Sequence, residues 1–161
     1  MKAPSTSATG RPSHRSRRAT EEEQESMALL DWNESLSIAI QSMDFQHKHW
    51  IRLINELHEA MLRGKGSGAI DRTLDKALGY TRLHFAAEER LLAENDYPAY
   101  PQHKKLHDDF VGSLLCLKER LGEGHTVLAM ELITEMQDWL RQHIQNADRQ
   151  YALFLKQKGV V

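Results

Sequence analysis

Apolar positions recur at three- and four-residue steps in four separate stretches, with no sustained alternation of the kind that marks a half-buried strand. The first carries Met43, His47, Trp50, Ile51, Ile54, Leu57, His58 and Met61, and predicts a helix that starts near Ile40 or Asp44 and ends at Arg63. Gly64 to Gly68 read as a loop, with Ser67 as the N-cap of a second helix. Ile70, Leu74, Leu78, Thr81, His84, Phe85, Glu88, Leu91 and Leu92 share one face of that helix. It should stop near Asn95, because Pro98 and Pro101 cannot continue it. Pro101 suits the first residue of a third helix, which carries His103, His107, Phe110, Val111, Leu114, Leu117 and Leu121 before Gly122 and Gly124. A fourth helix, from about Thr126 to Gln157, offers Leu128, Leu132, Met136, Trp139, Leu140, His143, Ala147, Tyr151 and Phe154 to the interior. Four amphipathic helices joined by short loops predict an all-α, up-down-up-down four-helix bundle.

Two different segments precede the first helix. Residues 1–26 combine a basic, Ser- and Arg-rich run with the acidic run EEEQE, and hold almost nothing large and apolar. Such a segment cannot bury enough surface to offset the entropy of ordering, so a disordered charged tail is expected, with His14 solvated. The bundle domain is then 27–161. Met27 to Ile40 is expected to be an N-terminal arm that packs Trp32 and Leu36 onto the body.

Composition narrows the function. A formal net charge of −2 argues against nucleic acid as the partner of the folded part. No stretch approaches the roughly 18 apolar residues of a membrane span, which argues against membrane insertion. Cys116 is the single cysteine, so no internal disulfide forms and a cytoplasmic location is expected. A protein partner for the charged tail stays open.

Nine histidines are the unusual count, and their placement carries the chemistry. His84 with Glu88 and His103 with His107 are i,i+4 pairs, which on a helix lie about 40° apart around the axis and about 6 Å apart along it. His47 lies on the first helix face and His143 on the fourth. Burying all of these without a compensating charge would be costly, and a metal removes the difficulty, since imidazole and carboxylate suit Fe, Mn and Zn. Asp148 adds a further carboxylate. Its i,i+5 step from His143 leaves the two about 140° apart on an ideal α-helix, so both reach one centre only if the helix widens into a π-bulge there.

The pattern Trp32, then Asp44-x-Gln46-His47, His84-Phe85-x-x-Glu88-Glu89, His103-x-x-x-His107 and Trp139-Leu140-x-x-His143-x-x-x-x-Asp148 resembles the hemerythrin family, in particular its single-domain bacterial members. The resemblance runs from Trp32 to Tyr151 and fills all seven ligand positions. It implies two non-haem iron ions with an oxo or hydroxo bridge. His103, His107 and His143 would bind one iron, His47 and His84 the other, and Glu88 and Asp148 would bridge both. The first iron is then full and the second keeps one open position, where O2 would bind reversibly. The function implied is O2 carriage, storage or local delivery, not catalysis. An O2 or redox sensor, a di-iron peroxidase or oxidase, and metal handling without O2 are the alternatives. The paired Glu-x-x-His signature of ferritin-like oxidases is missing, and five neutral imidazoles against two carboxylates suit a milder site.

Leu140, one turn before His143, should face the open position, with Trp50, Ile51 and Phe85 as further walls of an apolar O2 pocket or, as the alternative, plain core packing. Trp139 serves that pocket or plain core packing. Asp44 serves the helix start or a hydrogen bond behind the ligands. Tyr151 is expected to be core packing. Glu89 and His49 are expected to be solvated, His58 too far away to ligate, and His125 a loop residue. Lys104, Lys105, Asp108 and Asp109 form a mixed-charge outer face.

Overall fold

A computed structural model of the chain describes residues 28–63, 66–123 and 129–161. The tail with His14, the loop residues Gly64 and Lys65, and the segment holding His125 and Thr126 lie outside the described residues, as does the side chain of Ser67. Helix α1 spans Gln41–Leu62, α2 Gly66–Glu94, α3 Tyr100–Gly122 and α4 Ala129–Gln142. A π-helical turn, His143–Asp148, joins α4 to α5, Arg149–Gln157, so that the three form one fourth rod. No strand occurs among the described residues, and no helix there is long and apolar enough to cross a membrane.

The rods alternate in direction. Tyr80 donates to the Gln46 carbonyl and Lys76 pairs with Glu56, so residue numbers fall along α2 as they rise along α1. Lys118 with Asp75, and Arg120 with Glu131, fix the same antiparallel sense for α2–α3 and α3–α4. Residues from all four rods form one core that includes Trp50, Ile54, Leu57, Leu74, Leu114, Leu132, Met136 and Leu155. Three- and four-residue spacing puts these on inward faces, where each fully buried large side chain contributes about 1.5–3 kcal/mol.

The helix ends that fall on described residues lie within a residue or two of expectation. α2 stops in a Schellman cap: Tyr97 N–H donates to the Leu92 carbonyl at 3.0 Å and Asp96 N–H to Ala93 at 3.2 Å, with Asp96 at φ 54°. α5 ends the same way at Gly159, φ 73°, where a side chain would be strained. Pro101 stands at the start of α3, one residue after the first. α2 starts at Gly66, so Ser67 stands inside its first turn and not ahead of it.

The arm is ordered. Leu30, Leu36, Ile38 and Ile40 are buried, a short 3-10 turn covers Glu34–Leu36, and Trp32 is half-buried with the Lys48 ammonium 4.6 Å above its ring. Asp44 settles its role here: it accepts from Ser37 Oγ at 2.6 Å and from Ile38 N at 2.9 Å. These bonds hold a sharp reversal at Ala39, whose φ is 60°. Asn55 was not foreseen. Its Oδ1 accepts from Leu29 N and Leu30 N, both at 3.0 Å, and its Nδ2 donates to the Leu30 carbonyl at 2.9 Å. Asn55→Ala leaves those backbone groups without partners, so it should cost about 1–3 kcal/mol in chemical denaturation. A loss below about 0.5 kcal/mol, the range of an ordinary surface change, would mean that Asn55 does not tether the arm.

Candidate metal centre

Seven ionisable side chains converge between the rods, and all are buried: His47 from α1, His84 and Glu88 from α2, His103 and His107 from α3, and His143 and Asp148 from the fourth rod. Their i,i+4 pairs face inward because they continue the apolar stripes of α2 and α3. His143 and Asp148 meet only because of the π turn. Its i→i+5 hydrogen bonding stacks residues five apart, and His143 Nε2 comes to 3.0 Å from Asp148 Oδ1.

The inward-facing atoms are close and short of partners. His107 Nε2 is 3.1 Å from His143 Nε2 and 3.1 Å from Glu88 Oε2, and His103 Nε2 is 3.4 Å from Glu88 Oε2 and 3.7 Å from Asp148 Oδ1. His47 Nε2 lies 3.2 Å from Asp148 Oδ2. Such contacts look like ion pairs only if the histidines carry protons. Judged by hydrogen-bond geometry, His47 Nε2, His84 Nε2, His103 Nε2 and all four oxygens of Glu88 and Asp148 are buried without a partner. Metal–nitrogen and metal–oxygen bonds of about 2.1 Å place neighbouring ligands of an octahedron about 3.0 Å apart, which is the spacing seen. The donor set therefore fits transition-metal ions. Glu88, His103, His107 and His143 alone bring four ligand atoms within 4.8 Å of one another.

Electrostatics agree with that fit. Burial pushes His84 down to about 4, so its imidazole is neutral at physiological pH and its lone pair free to coordinate. Burial works to raise the Glu88 carboxyl, but the His103 and His107 rings beside it hold it well below the usual range. In Asp148 the histidines, His143 first, likewise outweigh burial and the nearby Glu88 charge.

The outer nitrogens differ. His84 Nδ1 lies 2.9 Å from Gln46 Oε1, which assigns the proton to Nδ1 and points the Nε2 lone pair inward. His107 Nδ1 stands in the same relation to Glu89 Oε1 at 3.1 Å. Glu89 was expected to be solvated. It is instead largely covered, and Lys104 reaches it at 3.5 Å. A 100° step from Glu88 turns Glu89 into the α2–α3 groove, not out to water. Lys104 otherwise pairs with Asp108, and Lys105 with Asp109, as the outer-face expectation had it.

His49 also departs from expectation. It is half-buried, packs on Tyr80 at 4.3 Å and is shifted down, by burial first and then by Arg52. His58 takes no part in the cluster. Tyr151 is fully buried with its ring 5.4 Å from His103, and its hydroxyl has no partner. Burial first, and the Glu88 and Asp148 charges after it, raise that phenol well above its ordinary value. Phe85 lies flat on His107 with 3.8 Å between ring centres, and Trp139 on His143 with 4.4 Å. Trp50, Ile51 and Leu140 are buried.

Histidines and carboxylates gathered inside an up-and-down helical bundle define a metal-binding four-helix bundle. The chain belongs to the hemerythrin family, whose model, described as the hemerythrin HHE cation binding domain, matches residues 38–154. It is 36% identical over 126 residues to a bacteriohemerythrin of Stenotrophomonas maltophilia, covering 78% of this chain and 81% of that one. A myohemerythrin of Sipunculus nudus is 28% identical over 120 residues, covering 74% and 88%. A crystal structure of wild-type hemerythrin matches with a TM-score of 0.71 at 28% identity, covering 78% of this chain and 97% of that one.

A bound metal must stabilise the fold, because it satisfies atoms that folding buries. A free ion at 1,000 times its dissociation constant adds about 4 kcal/mol, so chelation should lower Tm by on the order of 10 °C and re-addition should restore it. A melting temperature indifferent to chelation, in protein shown by elemental analysis to have lost metal, would remove these atoms from metal binding.

Proposed function

We propose that this chain holds two non-haem iron ions joined by an oxo or hydroxo bridge and binds O2 reversibly, to carry, store or deliver it locally. The observation that carries the reading is the set of buried, inward-pointing nitrogens and oxygens with no hydrogen-bond partner, supplied by all four rods. In this reading His103, His107 and His143 would hold one iron, His47 and His84 the other, and Glu88 and Asp148 would be shared by both. The half with three histidines would be the more fully ligated, and the half with two would leave the open position for O2. The reduced iron pair supplies the two electrons and the open position that reversible O2 binding needs.

The chain's own residues then orient and protect. Gln46 fixes the tautomer and ring angle of His84, and Glu89 those of His107. Leu140, Trp50, Ile51 and Phe85 keep water from the open position. A dry surround matters because water and protons promote loss of reduced oxygen and leave the ferric pair. The work of such a protein belongs in the cytoplasm, where reductant is at hand and the exposed Cys116 stays a thiol.

The first test is an optical spectrum of iron-loaded, reduced protein before O2, after O2 and after purging. The expected result is a visible charge-transfer band that comes with O2 and leaves on purging. Immediate passage to a stable ferric spectrum would replace the carrier reading with a sensor or an enzyme, and no di-iron spectrum would sink the centre itself. In a separate variant, Leu140→Asn should speed autoxidation several-fold by admitting water. An unchanged rate would take Leu140 out of the pocket.

A further inference from the structure

Five donor atoms already outline one metal position. His103 Nε2, His107 Nε2, His143 Nε2, one Glu88 oxygen and one Asp148 oxygen are linked by contacts of 3.0–3.7 Å. The other half of the centre is less prepared. His47 Nε2 has one donor atom near it, Asp148 Oδ2 at 3.2 Å, while the His47 and His84 rings meet edge to face with centres 5.3 Å apart. His84 Nε2 has no partner.

The outer anchors are unequal in the same sense. His107 Nδ1 gives its proton to the Glu89 carboxylate, and Lys104 holds that carboxylate from the solvent side. Among the described residues His84 Nδ1 has only the neutral amide oxygen of Gln46, and His47 Nδ1 is buried with no acceptor. An anionic acceptor makes the coordinating nitrogen a stronger donor than a neutral one does, and a nitrogen without an acceptor gains nothing. Ligands held in place also lose less freedom when an ion arrives. Ring stacking adds to this: Phe85 on His107 and Trp139 on His143 lock two of the three imidazoles of the first half.

We propose that the centre fills in order, the His103–His107–His143 half first, and that Glu89 is the positioning residue that gives this half its priority. The inference rests on the two-metal reading above. An ion held by the first half would fix one oxygen each of Glu88 and Asp148 and leave the second oxygen of each for the other half, Asp148 Oδ2 being already 3.2 Å from His47 Nε2. A divalent ion of borderline softness is the class of ligand the first half takes, and a one-metal form is a real intermediate of assembly.

The test is a titration of the metal-free full chain with Co(II), whose visible absorption reports coordination. Wild-type protein should give two steps, the first complete at one equivalent and at least tenfold tighter than the second. His47→Ala should keep the first step and lose the second. Glu89→Gln keeps the shape and an acceptor oxygen but removes the charge, and should weaken the first step about 10- to 100-fold. Circular dichroism of each metal-free variant checks that the bundle is intact. A single transition that saturates only at two equivalents would overturn the order of filling, as would loss of the first step in His47→Ala. An unchanged first step in Glu89→Gln would overturn the role of Glu89. Wild-type protein that takes up no cobalt would overturn the metal reading itself, an outcome distinct from filling without order.

Discussion

Seven ionisable side chains buried at one level of a helical bundle impose a constraint that the rest of the molecule has to satisfy. Taking a single unpaired charge into an apolar interior costs so much that a lone group neutralises instead. Here two carboxylates sit among five imidazoles, and the directions of their shifts show the conflict. His84 is driven down by burial while Glu88 is held low by its histidine neighbours. Proton sharing within the cluster relieves part of this, since burial alone would lower His103 and its contact with Glu88 raises it. It leaves the oxygens of both carboxylates without well-formed hydrogen bonds. Only a cation of higher charge, with several ligand directions, satisfies all of these atoms together.

The fold answers the constraint by distributing it. Each rod brings one or two donors, and none has to abandon its apolar stripe to do so. Among the described residues only the fourth rod departs from regular α-helical geometry, and it does so where Asp148 joins His143. Outside the donors, Gln46, Glu89 and the stacked rings of Phe85 and Trp139 set imidazole orientation. The arm closes the N-terminal end of α1 through Asp44 and is tied further along by Asn55.

What the sequence made legible was whatever depends on spacing along one helix. Four rods, their inward faces and the widened turn between His143 and Asp148 all follow from periodicity, and the rod ends follow from Pro and Gly. Residues whose partners lie on other helices were harder. Glu89 and Gln46 each sit one residue from a predicted ligand, where a 100° rotation points outward on a helix viewed alone. In a bundle each helix has two neighbours, so the flanks of its inward stripe lie in grooves and not in water. Asn55 pairs with backbone 25 residues away, a relation no local pattern encodes. Tyr151 read as packing because an aromatic ring on an apolar stripe gives no hint that its hydroxyl ends beside two carboxylates.

The same geometry explains how so polar a centre coexists with an ordered apolar core. Ordering a side chain costs conformational entropy whether or not an ion is present. Where Phe85 lies on His107 and Trp139 on His143, that ordering is already enforced by packing that belongs to the core. Trp139 in turn stacks on Phe110 with 4.1 Å between centres, and Trp50 packs edge-on against Phe110, so one aromatic layer links the His107 and His143 rings to the middle of the bundle. Packing that belongs to the core therefore helps to orient the His107 and His143 rings. Such packing sets the polar donors and the apolar core in one continuous layered interior.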